Sequence, residues 1–198
     1  MLPFSDWAEK FNQKVHTVDS LANNILMGYS LGGRLGLHAL LQNPGCWKAA
    51  ILVSTHPGLK LQEDKTARIA SDETWAARFE KEPWEDLIKA WNAQGVFKAD
   101  AFAFQRHESE NDREMLATAL RIWSLGLQHD LTDSIASLDM PILWMVGEKD
   151  TKFLKIAQEL KFKHQKSKLC IVANAGHRLL FEQTEIYKQN VKQFIKNL

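Results

Sequence analysis

The chain has 198 residues, 45% hydrophobic and 25% charged, with 25 Lys and Arg against 24 Asp and Glu for a formal net charge of +1. These fractions exclude a disordered or fibrous chain, and the length suits one domain with room for an insert rather than two independent domains. A nearly neutral chain has no global electrostatic reason to seek nucleic acid or an anionic membrane, and the longest apolar run, around Met140 to Gly147, is too short to span a bilayer.

In chain order, Asp6 to Leu21 reads as a helix, followed by a short apolar strand from Asn24 to Gly28. The next helix, Leu31 to Gln42, has Leu37, Leu40 and Leu41 on one face and stops at Asn43-Pro44-Gly45. A second strand covers Ala49 to Ser54. From about Gly58 to Asp130 the pattern is charged and helical, without a convincing strand, and holds Trp75, Trp84, Trp91 and Trp123. Strands at Pro141 to Gly147 and Lys168 to Ala173 flank a helix from Phe153 to Lys163. The last helix carries Tyr187, Val191, Phe194, Ile195 and Leu198 on one stripe, with Thr184 as its N-cap. Strands alternating with helices predict an α/β fold with a mostly parallel sheet and helices on both faces. The predicted organisation is a single domain over 1–198, with its core in 1–57 and 131–198 and a helical lid over 58–130. Such a lid covers the strands' carboxyl ends, where α/β proteins bind ligands. Most of its tryptophans are expected to staple it to the core.

Gly28-Tyr29-Ser30-Leu31-Gly32 is G-x-S-x-G, placed between an apolar strand and a helix. A sharp strand-to-helix turn there exposes the serine hydroxyl, and the helix N-terminus aims free N–H groups at a developing anion. Leu31 N–H is the expected oxyanion donor, with Gly28 and Gly32 leaving room for strand and helix to approach. Gly28 and Gly33 also have phosphate-loop spacing, but Arg34-Leu35 stands where Lys-Ser/Thr is needed.

A serine needs a base and an orienting acid, and in this topology the chain order is serine, acid, histidine. Asp150 lies just past a strand end, in position for the acid. Glu148 and Asp139 compete, although Asp139 precedes its strand and would lie at the wrong end of the sheet. His177, in Ala175-Gly176-His177, follows the last strand at the same edge. His16, His38, His56, His107, His129 and His164 lack that context and read as surface or helix-face residues. No spacing suggests a metal site, and no organic cofactor is expected. The two cysteines cannot form a disulfide framework, and no basic-then-apolar amino terminus directs secretion, so a reducing cytoplasm is expected.

These residues resemble the α/β-hydrolase superfamily and, within it, the 2-succinyl-6-hydroxy-2,4-cyclohexadiene-1-carboxylate synthases of menaquinone biosynthesis. The resemblance rests on Gly28 to Arg34, Ser54-Thr55-His56-Pro57-Gly58-Leu59, Trp75-Ala76-Ala77-Arg78-Phe79, Trp91 with Gln94-Gly95-Val96-Phe97, and Ser124-Leu125-Gly126-Leu127-Gln128. It continues in Gly147-Glu148-Lys149-Asp150-Thr151-Lys152-Phe153 and Ala175-Gly176-His177. It implies elimination of pyruvate from a succinyl-cyclohexene dicarboxylate, with Ser30, activated by His177 and Asp150, abstracting a ring proton. It also implies a cationic pocket in which Arg34, Arg68 and Arg106 converge on substrate carboxylates. Tyr29, Gln62, Trp91, Phe97 and Lys152 fall at pocket positions by the same comparison. The family carries roughly fifty further residues before the position of Met1, with the first strands and an H-G loop supplying a second oxyanion N–H. The expected sheet therefore lacks its first strands, and the chain reads as a fragment, a misplaced start or a degenerate homologue.

The alternatives are a serine carboxylester or C–C bond hydrolase using Ser30 as nucleophile, and a truncated homologue without turnover. Nucleic-acid binding through the lysines from Lys152 to Lys168 is the weakest reading, since such lysines are the wet face of a helix. The expected partner is a small polycarboxylate, with no nucleic acid and no membrane insertion, and the sequence leaves room for a homo-oligomer.

Overall fold

The computed structural model describes residues 1–18, 23–100 and 104–198. The expected end of the first helix at Leu21 and lid positions 101–103 lie outside the described residues. The elements run α1 Phe4–Val18, β1 Asn24–Tyr29, α2 Leu31–Gln42, β2 Trp47–Val53, α3 Gln62–Lys81, α4 Trp84–Asn92, α5 Arg113–Ile122, α6 Thr132–Ser137, β3 Ile142–Gly147, α7 Thr151–Glu159, β4 Lys168–Val172, α8 Leu179–Glu182 and α9 Thr184–Lys196. The strands form one sheet in the order β1-β2-β3-β4, and every neighbouring pair is parallel.

Sequence pattern follows position in the sheet. All of β3 is buried and β2 is buried except at Lys48, as strands covered on both faces must be. The edges β1 and β4 interleave exposed residues, Met27 in one and Ile171 in the other. On one face α1, α2, α6 and α7 close over Leu26, Leu52, Trp144 and Val146 with Ala8, Leu37, Leu40, Ile135 and Ala157. On the other, α8 and α9 bring Leu179 and Phe194 against Ile51, Val53, Leu143, Met145 and Val172. Burying each large side chain contributes about 1.5–3 kcal/mol. Asn12, 3% exposed, fastens α1: its Nδ2 donates to Ala39 O at 2.9 Å, and its Oδ1 accepts from Trp47 Nε1 at 3.2 Å.

Residues 58–130 contain helices and, among the described residues, no strand. They carry their own small core of Ala76, Phe79, Trp84, Leu87 and Ala117. Several helix boundaries differ from expectation, beginning with α1, which starts at Phe4 rather than Asp6. The helix expected to start at Phe153 starts at Thr151 and stops at Glu159, where Leu160 turns extended. Thr184 lies inside α9 rather than capping it. The chain runs almost directly from α8 into α9, so the Thr184 hydroxyl reaches back to Leu180 O (3.0 Å) and Phe181 O (3.1 Å). Among the described residues no helix is long and apolar enough to cross a membrane.

Candidate active site

The turn between β1 and α2 holds Ser30 at φ 49°, ψ −114°, a left-handed conformation that costs a non-glycine residue of order 1–3 kcal/mol. Ser30 N–H donates to Val53 O at 2.9 Å, which anchors the turn to β2. The turn is possible because strand and helix nearly touch. A Cβ on Gly28 would stand 2.6 Å from Gly33 Cα, and one on Gly33 would stand 1.9 Å from Thr55 Oγ1. A Cβ on Gly32 would meet nothing within 4 Å, so the close approach needs Gly28 and Gly33, not Gly32 as the motif suggests. Among the described residues no backbone carbonyl accepts from Leu31 N–H, which is left at the mouth of α2.

The hydroxyl of Ser30 donates to His177 Nε2 at 3.0 Å, and His177 Nδ1–H donates to Asp150 Oδ2 at 2.7 Å. A carboxylate at Nδ1 fixes the proton there and leaves Nε2 as acceptor. His177 and Asp150 are 2% and 5% exposed. Asp150 stands at the N-cap of α7 but makes no cap hydrogen bond, its carboxylate being turned to the imidazole. The competing acids are engaged elsewhere: Glu148 accepts from Asn174 N–H at 3.0 Å, and exposed Asp139 pairs with Lys163 at 3.0 Å. The imidazole is boxed by Phe153, Tyr29 and Phe97, with ring centroids at 4.6, 5.7 and 5.8 Å.

Ser30 opens into a cavity of about 610 Å³ between the sheet edge and the helices of 58–130. Its wall includes Leu31, Arg34, Arg68, Trp91, Phe97, Asp150, Lys152 and His177. Arg34 is 7% exposed, its Nε donates to Gln128 Oε1 at 2.8 Å and its Nη2 to Trp123 O. Burial, and Arg68 beside it, push its pKa down to about 9, which leaves it a cation at neutral pH. Arg68 Nε donates to both oxygens of Asp72, at 2.9 and 2.8 Å, and Ser124 Oγ donates to Asp72 Oδ2 at 2.7 Å.

Three predicted pocket residues do not line this cavity. Tyr29 packs behind the His177 ring and against Phe181, where burial raises its phenol pKa. Gln62 is the exposed first residue of α3. Arg106 reaches Asn92 Oδ1 at 3.4 Å and lies over the Phe104 ring at 5.5 Å, so two of the three arginines share the cavity rather than all three.

Sequence reasoning also missed residues. His56 is buried and on the cavity wall, not a surface histidine. Its Nδ1 accepts from Gly58 N–H at 3.1 Å, and burial, Lys152, Arg34 and Arg68 push its pKa down to about 3, so it stays neutral. Trp75 and Trp123 line the cavity beside the predicted Trp91 rather than only stapling residues 58–130 to the sheet; Trp84 is the one buried in that segment's own core. Ser54, at φ 46°, donates through Oγ to His177 O at 2.9 Å. The His56-Pro57-Gly58 stretch after β2, already among the residues that carry the resemblance, was the available signal for His56; pairs such as Ser54–His177, 123 residues apart, leave no local signature.

Residues 4–184 match the family described as serine aminopeptidase, S33. The 2-succinyl-6-hydroxy-2,4-cyclohexadiene-1-carboxylate synthase of Citrobacter koseri is 37% identical over 157 residues, 77% of this chain and 60% of that protein. The chain thus spans about 60% of the length of this curated relative. Among solved structures, MenH from S. aureus superposes with a TM-score of 0.85 at 22% identity, covering 98% of this chain and 76% of that one. A thermophilic esterase from Thermogutta terrifontis superposes with a TM-score of 0.69 at 18% identity, covering 100% and 73%. Both likenesses concern the fold. With a strained serine between strand and helix, a parallel sheet flanked by helices and a family match across most of its length, the chain belongs to the α/β-hydrolase family.

Proposed function

We propose that the chain acts as a 2-succinyl-6-hydroxy-2,4-cyclohexadiene-1-carboxylate synthase, eliminating pyruvate from a succinyl-cyclohexene dicarboxylate. Ser30 Oγ takes a ring proton as it passes its own to His177 Nε2. Asp150 holds the imidazole and stabilises its positive form. The electron pair left by the C–H bond is delocalised onto the conjugated carbonyl, facing Leu31 N–H, and then expels the enolpyruvyl oxygen as the C–O bond breaks; the departing enolate takes the proton held on His177 Nε2 and becomes pyruvate, which returns the imidazole to its neutral form. The observation that carries this reading is the Ser30–His177–Asp150 line opening into a cavity walled by Arg34, Arg68 and Lys152 in a chain of net charge +1. Guanidinium groups suit a polycarboxylate because their fork binds carboxylate bidentately. The two cysteines, both free and buried, are consistent with a reducing cytoplasm.

One observation favours a second reading. Arg34 and Arg68 already spend part of their forks on Gln128, Trp123 O and Asp72, which leaves less cation for a substrate and suits a carboxylester hydrolase. The two are separated by following pyruvate release beside p-nitrophenyl ester cleavage. Pyruvate release that disappears in Ser30→Ala supports the synthase. Ester cleavage without pyruvate release moves the assignment to the hydrolase, and neither activity in a folded chain removes both.

A further inference from the structure

The backbone of His177 is gripped on both sides of its Cα. Its C=O accepts from Ser54 at the end of β2 (2.9 Å), and its N–H donates at 2.7 Å to Asp100 Oδ1, a residue of the lid segment. The same oxygen accepts from Arg178 N–H at 3.4 Å. Arg178 returns the contact: its Nε lies 3.5 Å from Asp100 Oδ2, its Nη2 donates to Asn92 Oδ1 at 2.8 Å, and its guanidinium covers the Phe97 ring at 4.0 Å. The side chains of Arg178 and Asp100 are 3% and 1% exposed, so solvent does not replace these contacts. Gly176 is shaped by the same seat. A Cβ there would come 2.3 Å from Asp100 Oδ1 and 3.2 Å from both Ala99 C and Asp100 Cα, and nothing nearer.

We propose that Asp100 is a positioning residue through which the lid segment Phe97–Asp100 completes the His177 loop, so that docking of this segment and alignment of the imidazole on Ser30 are one event. The proposal rests on the reading of His177 as the base for Ser30. An anionic oxygen on two adjacent N–H groups makes charge-assisted hydrogen bonds, stronger and more directional than neutral ones. The site is costly as well as strong. Asp100 Oδ2 and Glu182 Oε1 are sealed without hydrogen bonds, and Glu182 Oε2 accepts from Gly176 N–H at 2.8 Å, so two acids crowd one loop. Burial and then Glu182 push the Asp100 pKa up to about 6. A buried charge held at a cost beside a reacting group fits positioning better than stability. The reward is large, since misplacing a reacting group by about 1 Å costs on the order of a hundredfold in rate.

The test uses a fluorophosphonate, which reads the Ser30–His177 geometry whatever the natural substrate: the Ser30 Oγ–P bond forms, the P–F bond breaks, fluoride leaves and the proton passes to His177 Nε2. Asp100→Leu keeps the branched heavy-atom shape and has no acceptor, so labelling should slow by about thirtyfold or more, while Asp100→Asn, which keeps one acceptor oxygen, should stay within about threefold. Gly176→Ala, displacing the carboxylate, should reproduce the slow phenotype, and should cost little more when added to Asp100→Ala. With ester or synthase substrate, kcat should fall and KM should hold. Labelling of folded Asp100→Leu at the native rate, or Asp100→Asn as slow as Asp100→Leu, overturns the proposal. So does a loss confined to KM. If Asp100→Leu does not fold, Gly176→Ala and Asp100→Asn decide in the same way. A native chain that does not label at Ser30 removes the reading of the serine itself; a native chain that labels, with variants that label equally, removes only the role of Asp100.

Discussion

At the scale of single residues, the strongest expectations concern Ser30 and Arg34. Ser30 Oγ has one base at 3.0 Å and that base one acid at 2.7 Å, so Ser30→Ala should lower kcat by about three orders of magnitude, and Asp150→Asn nearly as much. Rates within tenfold of native for Ser30→Ala would end the assignment. Arg34 has two jobs that its substitution should separate. Its truncation leaves Gln128 Oε1 and Trp123 O without their donor, so Arg34→Ala should cost about 1–3 kcal/mol of stability. It should also cut kcat/KM for the proposed polycarboxylate substrate about a hundredfold while sparing a small neutral ester. Equal losses on both substrates would show that Arg34 only supports the wall. The three residues of the line were legible because each sits at a strand end, in the required order, and a strand end is visible in sequence. Arg106 was misplaced because a charged helix or loop position does not reveal which way its side chain turns, and here it turns to Asn92 and Phe104.

At the scale of elements, the crossing of β1 and α2 is the feature most sensitive to volume. Gly28→Ala would drive a Cβ to 2.6 Å from the Gly33 backbone, with no flexible side chain to yield. It should destabilise by about 1–3 kcal/mol or more and disturb Ser30 with it. Gly32→Ala should behave oppositely. Its Cβ enters open space in the first turn of α2, and replacing a helical glycine by alanine gains about 0.5–1 kcal/mol. Chemical denaturation of the two variants checks both signs, and a stabilised Gly28→Ala or a strongly destabilised Gly32→Ala would refute the packing account. The motif located the elbow but not its tight contacts, because G-x-S-x-G records spacing along the chain while Gly33 meets Thr55 across the sheet. Likewise the four strands were readable from apolar runs bounded by turns. The boundary at α9 was not, because a threonine that could cap a helix can equally bond back to the preceding one, as Thr184 does to Leu180 and Phe181.

At the scale of the whole molecule, the link between residues 97–100 and the loop after β4 sets a pH dependence of folding. Asp100 faces Glu182 of α8, Arg178 and the His177 backbone, and it also lies near Tyr29. Its folded pKa is raised to about 6, above the ordinary value of 3.8, with burial the first cause and Glu182 raising it further. For an acid shifted upward, folding favours the protonated form. The stability this contributes is therefore fully present below about pH 4, is lost as the pH climbs through about 6, and is constant above that. Asp100→Asn carries no such titration. Its stability relative to the native chain should rise between pH 4 and pH 6 and then level off, measured as the free energy of denaturation at each pH. The exposed acids Glu73, Glu80 and Glu185, held down by Arg121 and Lys188, shift oppositely, but they are common to both proteins and cancel in the comparison. A difference between the two that does not vary with pH would mean that Asp100 titrates as an ordinary surface acid, and the buried seat would be wrong. The expected trend has a consequence for the site: the chain pays in stability at neutral pH for the charge on Asp100, and that same charge strengthens the hydrogen bond that holds the His177 loop against Ser30.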